Sequence, residues 1–340
     1  MSFTPVPSNT IRINRSQLFV PGSKPDLFEK ASASNADIIC LDLEDAVAPQ
    51  DKEQAKENVI KALNNHDFGK KTISVRINGL DTHYCYRDVV DLMENGGERL
   101  DLIMIPKVGV PEDVYAIDML VTQIEDKTQR QKKIGFELIV ETSMGITNLD
   151  KILTGSRRIE SLHFGYADYA ASVRMRTTNI GGSNQDYSIL TDEIDGERKT
   201  HWNDMWHYPI SKMTTIGRAH GVRIIDGPFG DFSDPDGFKS HARRTAILGC
   251  EGKWAIHPSQ VDLANEVFTL PEKEVQKARD ILEAMKKAQE SGAGAATLNG
   301  KLIDAASIRQ AEQIIEQTKL IETLSNCLLY TSPSPRDRLK

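Results

Sequence analysis

The chain lacks any hydrophobic run long enough to cross a membrane and any excess of positive charge. No stretch approaches the roughly 18 consecutive apolar residues that a transmembrane helix needs. The N-terminal segment MSFTPVPSNTIRINR lacks the apolar centre of a signal peptide. The formal net charge is −7 over 340 residues, whereas a nucleic-acid surface needs a basic face. We therefore expect a cytoplasmic protein that binds neither nucleic acid nor a membrane.

Several sequence signals of cofactor binding and catalysis are also missing. The four cysteines have no paired spacing, which argues against a disulfide framework and against a zinc site. No GxGxxG follows the first predicted strand, so a dinucleotide-binding fold is disfavoured. No GxSxG elbow is present, and the eight histidines show no metal-ligand spacing. Nucleophilic catalysis is therefore unsupported.

The sequence does contain a regular alternation of short apolar runs and longer amphipathic segments. The helical segments between the runs include 52–63, 112–124, 204–220 and 237–248. About 260 residues is the usual length of eight βα units in a (β/α)8 barrel. We predict an α/β fold of the TIM barrel type, with an open doubly wound sheet as the alternative. The predicted strands are residues 17–20, 38–43, 72–76, 102–105, 136–141, 161–164, 222–225 and 254–256.

The pattern changes after Pro271. A charged helix is predicted at 272–290, a Gly/Ala-rich linker at 291–300 and a second amphipathic helix at 303–324. We expect a catalytic barrel domain over 1–270, a C-terminal helical lid domain over 271–326 and a tail over 327–340. The tail segment CLLYTSPSPRD resembles a translated sequencing adapter, in which case the natural C-terminus is missing; a genuine disordered tail is the alternative.

Acidic residues stand where the predicted strands end. Glu141 and Asp168 are each the first acid after an apolar run. In a parallel barrel all strand C-termini face one mouth, so these carboxylates converge there. Mg²⁺ needs only one or two carboxylates and completes its coordination with water and substrate oxygens. We predict that both are metal ligands, with helix capping as the alternative.

A denser acidic group, Asp42, Glu44 and Asp45, follows the second predicted strand. These residues are candidates to hydrogen-bond metal-bound waters, although Asp45 alternatively caps a loop. Arg76 ends the third strand, where a fixed guanidinium can bind a carboxylate or stabilise an enolate. A salt bridge from Arg76 to the acidic group is the structural alternative. Lys107 is likewise a basic residue close to a strand end, but its position indicates a role in the site less strongly.

A basic turn near the N-terminus suits a nucleotide ligand. Arg15, Lys24 and Lys30 lie around a turn at Pro21–Gly22, and Phe19 stands beside them. Cationic groups next to an aromatic ring can hold adenine and phosphates. Among the histidines, His257 follows the last strand and is expected at the mouth, whereas His163 lies within a strand and is expected to be a core residue.

With these residues collected, the chain resembles the citrate lyase β-subunit/HpcH-type aldolase superfamily. The resemblance runs from about residue 12 to residue 324. It rests on several blocks in the same order: RSQLFVPGS, ADIICLDLEDAV, SVRINGLDT, LIMIPKV, LIVETSMGI, HFGYADYAAS, IDGPFGDFSD and LGCEGKWAIHPSQV.

The resemblance implies a Mg²⁺-dependent lyase, with Mn²⁺ as an alternative metal. It would cleave an acyl-CoA thioester reversibly into glyoxylate and acetyl-CoA or propionyl-CoA, so that glyoxylate and an acyl-CoA thioester are its partners. It implies metal ligands at Glu141 and Asp168, and Arg76 at the reacting carbonyl. Coenzyme A and substrate would contact Arg76, Asp168 and the positions Phe19, Lys24, Lys30, Ala167, Ile256 and His257.

The resemblance also implies a homo-oligomer, a trimer or hexamer, in which the lid of one subunit covers the neighbour's site. The catalytic base would be Asp304, in NGKLIDAAS, whose alternative is an ordinary N-cap. Two other activities of the superfamily remain alternatives. One is hydrolysis of the CoA thioester or cleavage of citramalyl-CoA, and the other is a subunit that depends on an acyl carrier protein.

Overall fold

Eight parallel strands close into a barrel in the computed structural model, which describes residues 6, 12–193, 196–290 and 296–329, with side chains to 323. Around the barrel the strands that begin at residues 16, 252, 223, 159, 135, 102, 72 and 38 are neighbours in that order. The predicted TIM barrel is therefore confirmed. The barrel strands are β1 (Ser16–Pro21), β2 (Ile38–Asp42), β3 (Thr72–Arg76), β4 (Leu102–Ile105), β5 (Gly135–Val140), β6 (Ile159–Phe164), β9 (Arg223–Asp226) and β10 (Gly252–Ala255).

Amphipathic helices connect the strands. In the third helix, Cys85, Val89 and Leu92 are buried at helical spacing, whereas Tyr86 and Arg87 are exposed. The predicted helices 52–63, 112–124, 204–220 and 237–248 correspond to the second, fourth, seventh and eighth. The helices of this unit are α1 (Phe28–Ser32), α2 (Lys52–Asn65), α3 (Cys85–Asn95), α4 (Pro111–Thr128), α5 (Ser143–Ile152), α6 (Tyr166–Ser172), α7 (His207–Ala219), α8 (Pro235–Ile247) and α9 (Val261–Phe268).

Strand alternation divides the apolar core into two clusters. The larger cluster joins the outer face of the strands to the helices. A smaller cluster fills the barrel interior and comprises Cys40, Met104, Ile139, Ile225 and Trp254. Because side chains two residues apart share a face, these residues identify which strand-end side chains point into the barrel.

The barrel interior also holds a buried polar network around Glu137. Its carboxylate accepts hydrogen bonds from Gln17 Nε2, at 2.9 Å, and from Ser74 Oγ. His163 Nε2 lies 3.3 Å from Glu137 Oε1, and Trp254 Nε1 donates to His163 Nδ1 at 2.8 Å. Burial opposes ionisation of Glu137, but His163 and the hydrogen bonds outweigh it and lower the pKa of the carboxyl. His163 is thus a satisfied core histidine, as expected.

The chain divides into two compact units, Met1–Phe268 and Thr269–Lys340. The first also contains a hairpin between α6 and α7, formed by β7 (Ser188–Leu190) and β8 (Thr200–Trp202), which the sequence did not predict. No described helix is both long and apolar enough to span a membrane.

The second unit consists of α10 (Glu272–Glu290), β11 (Ala296–Leu298), β12 (Lys301–Ile303) and α11 (Ala305–Leu329). The two strands form an antiparallel hairpin inside part of the predicted linker 291–300, of which 291–295 lie outside the described residues. Asn299 and Gly300 make its turn with φ of 49° and 74°, as in a type I′ turn. Of the predicted tail, 327–329 continue α11 and 330–340 lie outside the described residues.

Candidate active site

Four predicted site residues lie at the carboxyl end of the barrel. Asp42 and Arg76 end β2 and β3, Glu141 follows β5, and Asp168 lies in the first turn of α6. Because successive side chains of a strand point to opposite faces, Asp42 lies on the same face as Cys40, and Glu141 lies on the same face as Ile139. The side chains of Asp42 and Glu141 therefore point into the barrel mouth.

Arg76 binds all three residues of the predicted acidic group. Its Nε and Nη2 donate to the two carboxylate oxygens of Asp42 at 2.7 and 2.6 Å. Its Nη1 lies 2.9 Å from Glu44 Oε2 and 3.6 Å from Asp45 Oδ2. The bidentate geometry fixes the guanidinium plane. The salt-bridge alternative for Arg76 is thus observed, and its contact with a reacting carbonyl stays a prediction.

The Asp42–Arg76 pair is buried and ionised. Burial opposes ionisation of Asp42, but the Arg76 charge and backbone N–H groups of Glu44 and Ala46 outweigh it, so the pKa of Asp42 lies below its ordinary value. Burial likewise disfavours the charged guanidinium, but Asp42 and Glu44 raise the pKa of Arg76. Arg76 therefore carries a permanent, oriented positive charge at the mouth.

Two aromatic rings support the guanidinium from within the barrel. The Arg76 Cζ lies 5.4 Å from the Phe19 ring centroid and 6.0 Å from the Trp254 ring. The Phe19 and Trp254 centroids are 4.2 Å apart. Such distances allow cation–π attraction. Trp254 was not predicted as a site residue, because its sequence position indicates only a strand interior.

Glu141 is a buried carboxyl in a negatively charged environment. It is 3 % exposed, and its Oε1 accepts a hydrogen bond from the Lys107 backbone N–H at 2.7 Å. Burial, then the charges of Glu44 and Asp168, raise its pKa to about 8. A Cβ at Gly165 would lie within 3 Å of the Glu141 carboxylate, so the carboxylate occupies space that only glycine leaves open.

The donor set fits a hard divalent cation. No group of three or more His, Cys, Asp or Glu side chains among the described residues is arranged to hold a metal. Mg²⁺ does not need one, since it binds one or two carboxylates and keeps several waters. Burial first, and then the negative charges of Glu44 and Asp168, raise the pKa of Glu141, and a bound cation would offset both effects. Glu141 and Asp168 therefore fit the predicted ligand pair, whose role stays a prediction.

The helix that carries Asp168 is anchored by a buried ionic cluster outside the barrel. Tyr166, the first residue of α6, donates from its hydroxyl to Asp226 Oδ1 at 2.6 Å. Lys253 Nζ donates to Asp226 Oδ2 at 2.6 Å and lies 3.0 Å from His241 Nδ1. All four side chains are buried. Sequence reasoning missed this cluster, because strand spacing alone does not show that Asp226 and Lys253 meet.

The predicted coenzyme A positions near α1 and α6 are exposed. Lys24 immediately precedes the 3-10 turn Pro25–Leu27, and Lys30 lies in the last turn of α1. Ala167 lies in the first turn of α6. The side chains of Lys24 and Lys30 are available to solvent and to an anionic ligand. Their contact with coenzyme A stays a prediction.

Ile256 and His257 follow β10 directly. The Ile256 backbone N–H donates to Gln260 Oε1 at 2.9 Å. The His257 ring stacks on Phe232, with centroids 4.8 Å apart, and its Nδ1 lies 2.8 Å from Ser259 Oγ. Both predicted positions are thus exposed on an ordered turn next to an aromatic ring.

Asp304 caps the N-terminus of α11 in the second unit. Its Oδ1 accepts the backbone N–H groups of Ser307 and Ala306 at 2.9 and 3.0 Å, and the Ser307 hydroxyl at 3.1 Å. The hydrogen bonds from Ser307 lower the pKa of this exposed carboxyl. The N-cap alternative is therefore observed, and the role of Asp304 as a base stays a prediction.

A cavity of about 890 Å³ lies elsewhere on the first unit. None of the predicted site residues is among its described lining residues. It is lined by loop residues 178–183 and 229–231 together with Trp202, Asp234, Gly237, Ser240, His241 and Arg244.

Comparison with known proteins shows the family to which the chain belongs. The HpcH/HpaI aldolase/citrate lyase model matches residues 15–258. An L-malyl-CoA/beta-methylmalyl-CoA lyase of Cereibacter sphaeroides (strain ATCC 17029) is 54% identical over 321 residues, covering 94% of this chain and 99% of the relative. The lyase of the same name from Rhodobacter capsulatus is 52% identical over 320 residues, with the same coverage.

Solved structures share the fold. The crystal structure of CitE from Mycobacterium tuberculosis in complex with magnesium, acetoacetate and coenzyme A superposes with a TM-score of 0.67 at 22% identity. The match covers 90% of this chain and 98% of that one. On the extent of the family match and the identity to its relatives, the chain belongs to the HpcH/HpaI aldolase/citrate lyase family.

Proposed function

We propose that the protein is a Mg²⁺-dependent carbon–carbon lyase. It cleaves malyl-CoA and β-methylmalyl-CoA reversibly into glyoxylate and acetyl-CoA or propionyl-CoA. The identity of more than 50% to the lyases of Cereibacter and Rhodobacter supports this substrate class. The structural observation that carries it is the buried Glu141 carboxyl, which shares the mouth with Asp168 and the oriented charge of Arg76.

In this proposal Glu141 and Asp168 hold the metal through carboxylate oxygens, and Mn²⁺ substitutes for Mg²⁺. When bound, the cation supplies Lewis-acid polarisation of the glyoxylate aldehyde. Asp42, Glu44 and Asp45 face the same region and orient Arg76.

Arg76 stabilises the negative charge of the reacting enolate. In the condensation direction a base removes an α-proton of acetyl-CoA, and charge develops on the thioester oxygen. A guanidinium that is already oriented needs no reorganisation when this charge appears. In the cleavage direction the β-hydroxyl gives up its proton and becomes the aldehyde of glyoxylate as the bond between the α- and β-carbons of the acyl group breaks. The electron pair of that bond forms the same enolate, which takes up one proton to give the CoA product.

Asp304 supplies the base in this proposal and returns the proton to the enolate during cleavage. It belongs to the second unit, which acts as a lid on the site of a neighbouring subunit in a trimer or hexamer. Closure of the lid excludes water from the enolate. We place the enzyme in the cytoplasm.

Coenzyme A binds along the rim in this proposal. Lys24 and Lys30 provide positive charge for its phosphates, because both are exposed on the segment after β1. Ala167, Ile256 and His257 border the path of the thioester arm. Phe19 lies deeper, against Arg76, and so faces the reacting end.

The decisive assay is incubation of purified protein with malyl-CoA and Mg²⁺. Glyoxylate, trapped as its phenylhydrazone, and acetyl-CoA are expected in equal amounts. Free malate without glyoxylate would instead identify a thioester hydrolase. Turnover only with an acyl carrier protein would identify a carrier-dependent subunit. Removal of Mg²⁺ with a chelator should abolish product formation, and its return should restore it.

A further inference from the structure

Lys107 has a backbone conformation that favours glycine. Its φ is 56°, in the left-handed region that costs energy for residues with a side chain. Of the other described non-glycine residues with positive φ, Gln129 and Arg174 follow the ends of α4 and α6, and Asn299 forms the hairpin turn, where this conformation is common. Lys107 instead follows β4 at the barrel mouth. Such a conformation persists only where surrounding contacts enforce it.

The backbone of Lys107 contacts the proposed metal site. Its N–H donates to Glu141 Oε1 at 2.7 Å. This is a hydrogen bond to a carboxylate that is almost fully buried, so it fixes the orientation of the group. Rotation of the Lys107 backbone out of the left-handed region would turn this N–H away from Glu141.

The side chain of Lys107 contacts a different part of the mouth. Its Nζ donates to Glu44 Oε1 at 2.8 Å, while Glu44 Oε2 lies 2.9 Å from Arg76 Nη1. Glu44 therefore bridges two cations with its two oxygens. The Glu44 side chain is only 6 % exposed, so loss of either cation leaves its charge poorly compensated.

We propose, on the basis of the proposed lyase activity, that Lys107 is a positioning residue with two separable roles. Its backbone N–H, which the left-handed conformation directs at Glu141, orients that carboxylate as a metal ligand. Its ammonium holds Glu44, so that Arg76 keeps the orientation that stabilises the enolate. Lys107 therefore contacts both Glu141, a proposed metal ligand, and Glu44, which binds the Arg76 guanidinium.

The ammonium role is tested with Lys107→Met and Lys107→Arg. Loss of the charge should lower kcat about tenfold or more with KM within about threefold, and arginine should recover most of the loss. The control is Lys127→Met, which removes a lysine paired with Glu94 on the surface and should leave kcat unchanged. A Lys107→Met enzyme with normal kcat overturns this role. A raised KM at normal kcat overturns it too, since it indicates direct substrate binding.

The backbone role is tested with Lys107→Gly against Lys107→Ala. Both remove the ammonium, but only glycine adopts the left-handed region freely. Lys107→Gly should bind Mn²⁺ within about threefold of the wild-type affinity, whereas Lys107→Ala, which keeps the cost of the left-handed region and loses the contact with Glu44, should bind it about tenfold more weakly and melt at a lower temperature. Gln129→Gly is the matched backbone control and should change neither Mn²⁺ affinity nor kcat. Equal Mn²⁺ affinities for the glycine and alanine variants would overturn the backbone role.

The Mn²⁺ titrations are done by calorimetry without substrate. They therefore separate this proposal from the proposed function. A wild-type protein that releases no glyoxylate from malyl-CoA refutes the lyase activity, while the glycine and alanine variants still decide whether the Lys107 amide orients Glu141.

Discussion

Glu141 is the residue whose proposed role depends most on a bound cation. Its pKa of about 8 lies well above the ordinary value of 4.5, because the group is buried among other acids. At neutral pH the metal-free carboxyl therefore carries a proton in most molecules. Binding of a divalent cation must release this proton, so metal affinity and pH are linked.

We predict that Mg²⁺ affinity rises with pH between about 6 and 8 and then levels off. Calorimetric titrations in two buffers of different ionisation enthalpy should show proton release on Mg²⁺ binding at pH 7. The Glu141→Gln variant, which has no proton to release there, is the control. Proton release of the same size in the variant would contradict the assignment.

The same group makes metal-free stability depend on pH. Between the unfolded pKa of 4.5 and the folded pKa of about 8, the folded state binds more protons, so stability falls as pH rises. Urea unfolding of wild-type and Glu141→Gln protein without metal should show wild type losing stability relative to the variant from pH 5 to pH 8. A constant difference across this range would contradict a raised pKa.

Arg76 is expected to contribute both to the stability of the folded protein and to the proposed turnover. Arg76→Ala would leave Asp42 buried without its cation, and we expect a loss of about 3–5 kcal/mol in the free energy of unfolding. Turnover should fall by about 10²–10³-fold, the scale seen when an oxyanion donor is removed. Arg76→Lys keeps the charge but not the bidentate geometry, so it should recover more stability than activity. Urea unfolding and malyl-CoA assays give both numbers; equal recovery would contradict the orienting role.

Among the elements, α6 links the proposed metal site to the outer packing of the barrel. Gly165, which precedes it, has φ of −96° and ψ of 96°, a conformation open to alanine. A substitution there therefore tests contact with Glu141 and not backbone strain. Tyr166 and Asp226 hold the start of the helix, so it cannot easily move away.

We predict that Gly165→Ala displaces the Glu141 carboxylate. The change should weaken Mn²⁺ binding about tenfold and cost about 1–3 kcal/mol of stability, as expected for overpacking. Gly69→Ala, at an open surface turn away from the mouth, is a stability control that should leave Mn²⁺ affinity unchanged. A Gly165→Ala protein with normal Mn²⁺ affinity would show that Glu141 does not need this space.

The sequence predicted the barrel because buried parallel strands are continuous apolar runs. All eight predicted strands fall within two residues of the observed ends. The small hairpins escaped prediction: β7 and β8 are short and exposed, and Asn299-Gly300 was interpreted as part of a linker although Asn-Gly is a common hairpin turn.

Within the site, the sequence predicted which residues reach the mouth but not how they pair. Spacing placed Asp42, Arg76 and Glu141 at strand ends. It gave no indication that Trp254 supports Arg76, since that contact depends on packing inside the barrel. The left-handed conformation of Lys107 was also unpredictable, because a lysine after proline carries no local signal for positive φ.

At the scale of the whole molecule, the chain consists of two compact units, and the proposed activity needs a residue from each. Glu141 belongs to the first unit and Asp304 to the second. In a closed symmetric oligomer every site can receive the same segment from a neighbour. The proposal that Asp304 serves another subunit can therefore be tested by mixing subunits.

We predict that Asp304→Ala and Glu141→Gln proteins are each inactive but complement one another. After the two are mixed and reassembled from dissociated subunits, random pairing should restore about a quarter of wild-type turnover, since each productive site needs one barrel and one lid from different variants. Asp304→Ala alone should retain Mg²⁺ and coenzyme A binding. Failure to complement in verified mixed oligomers would contradict a base supplied by a neighbour.

The central claim is that Glu141 and Asp168 together bind one divalent cation at the barrel mouth. The most direct measurement is anomalous diffraction at the manganese edge from crystals grown with Mn²⁺. We predict a single strong anomalous peak at the mouth, within bonding distance of one carboxylate oxygen from each residue. A peak that contacts neither residue, or no peak in crystals of protein that turns over malyl-CoA with Mn²⁺, would contradict the account.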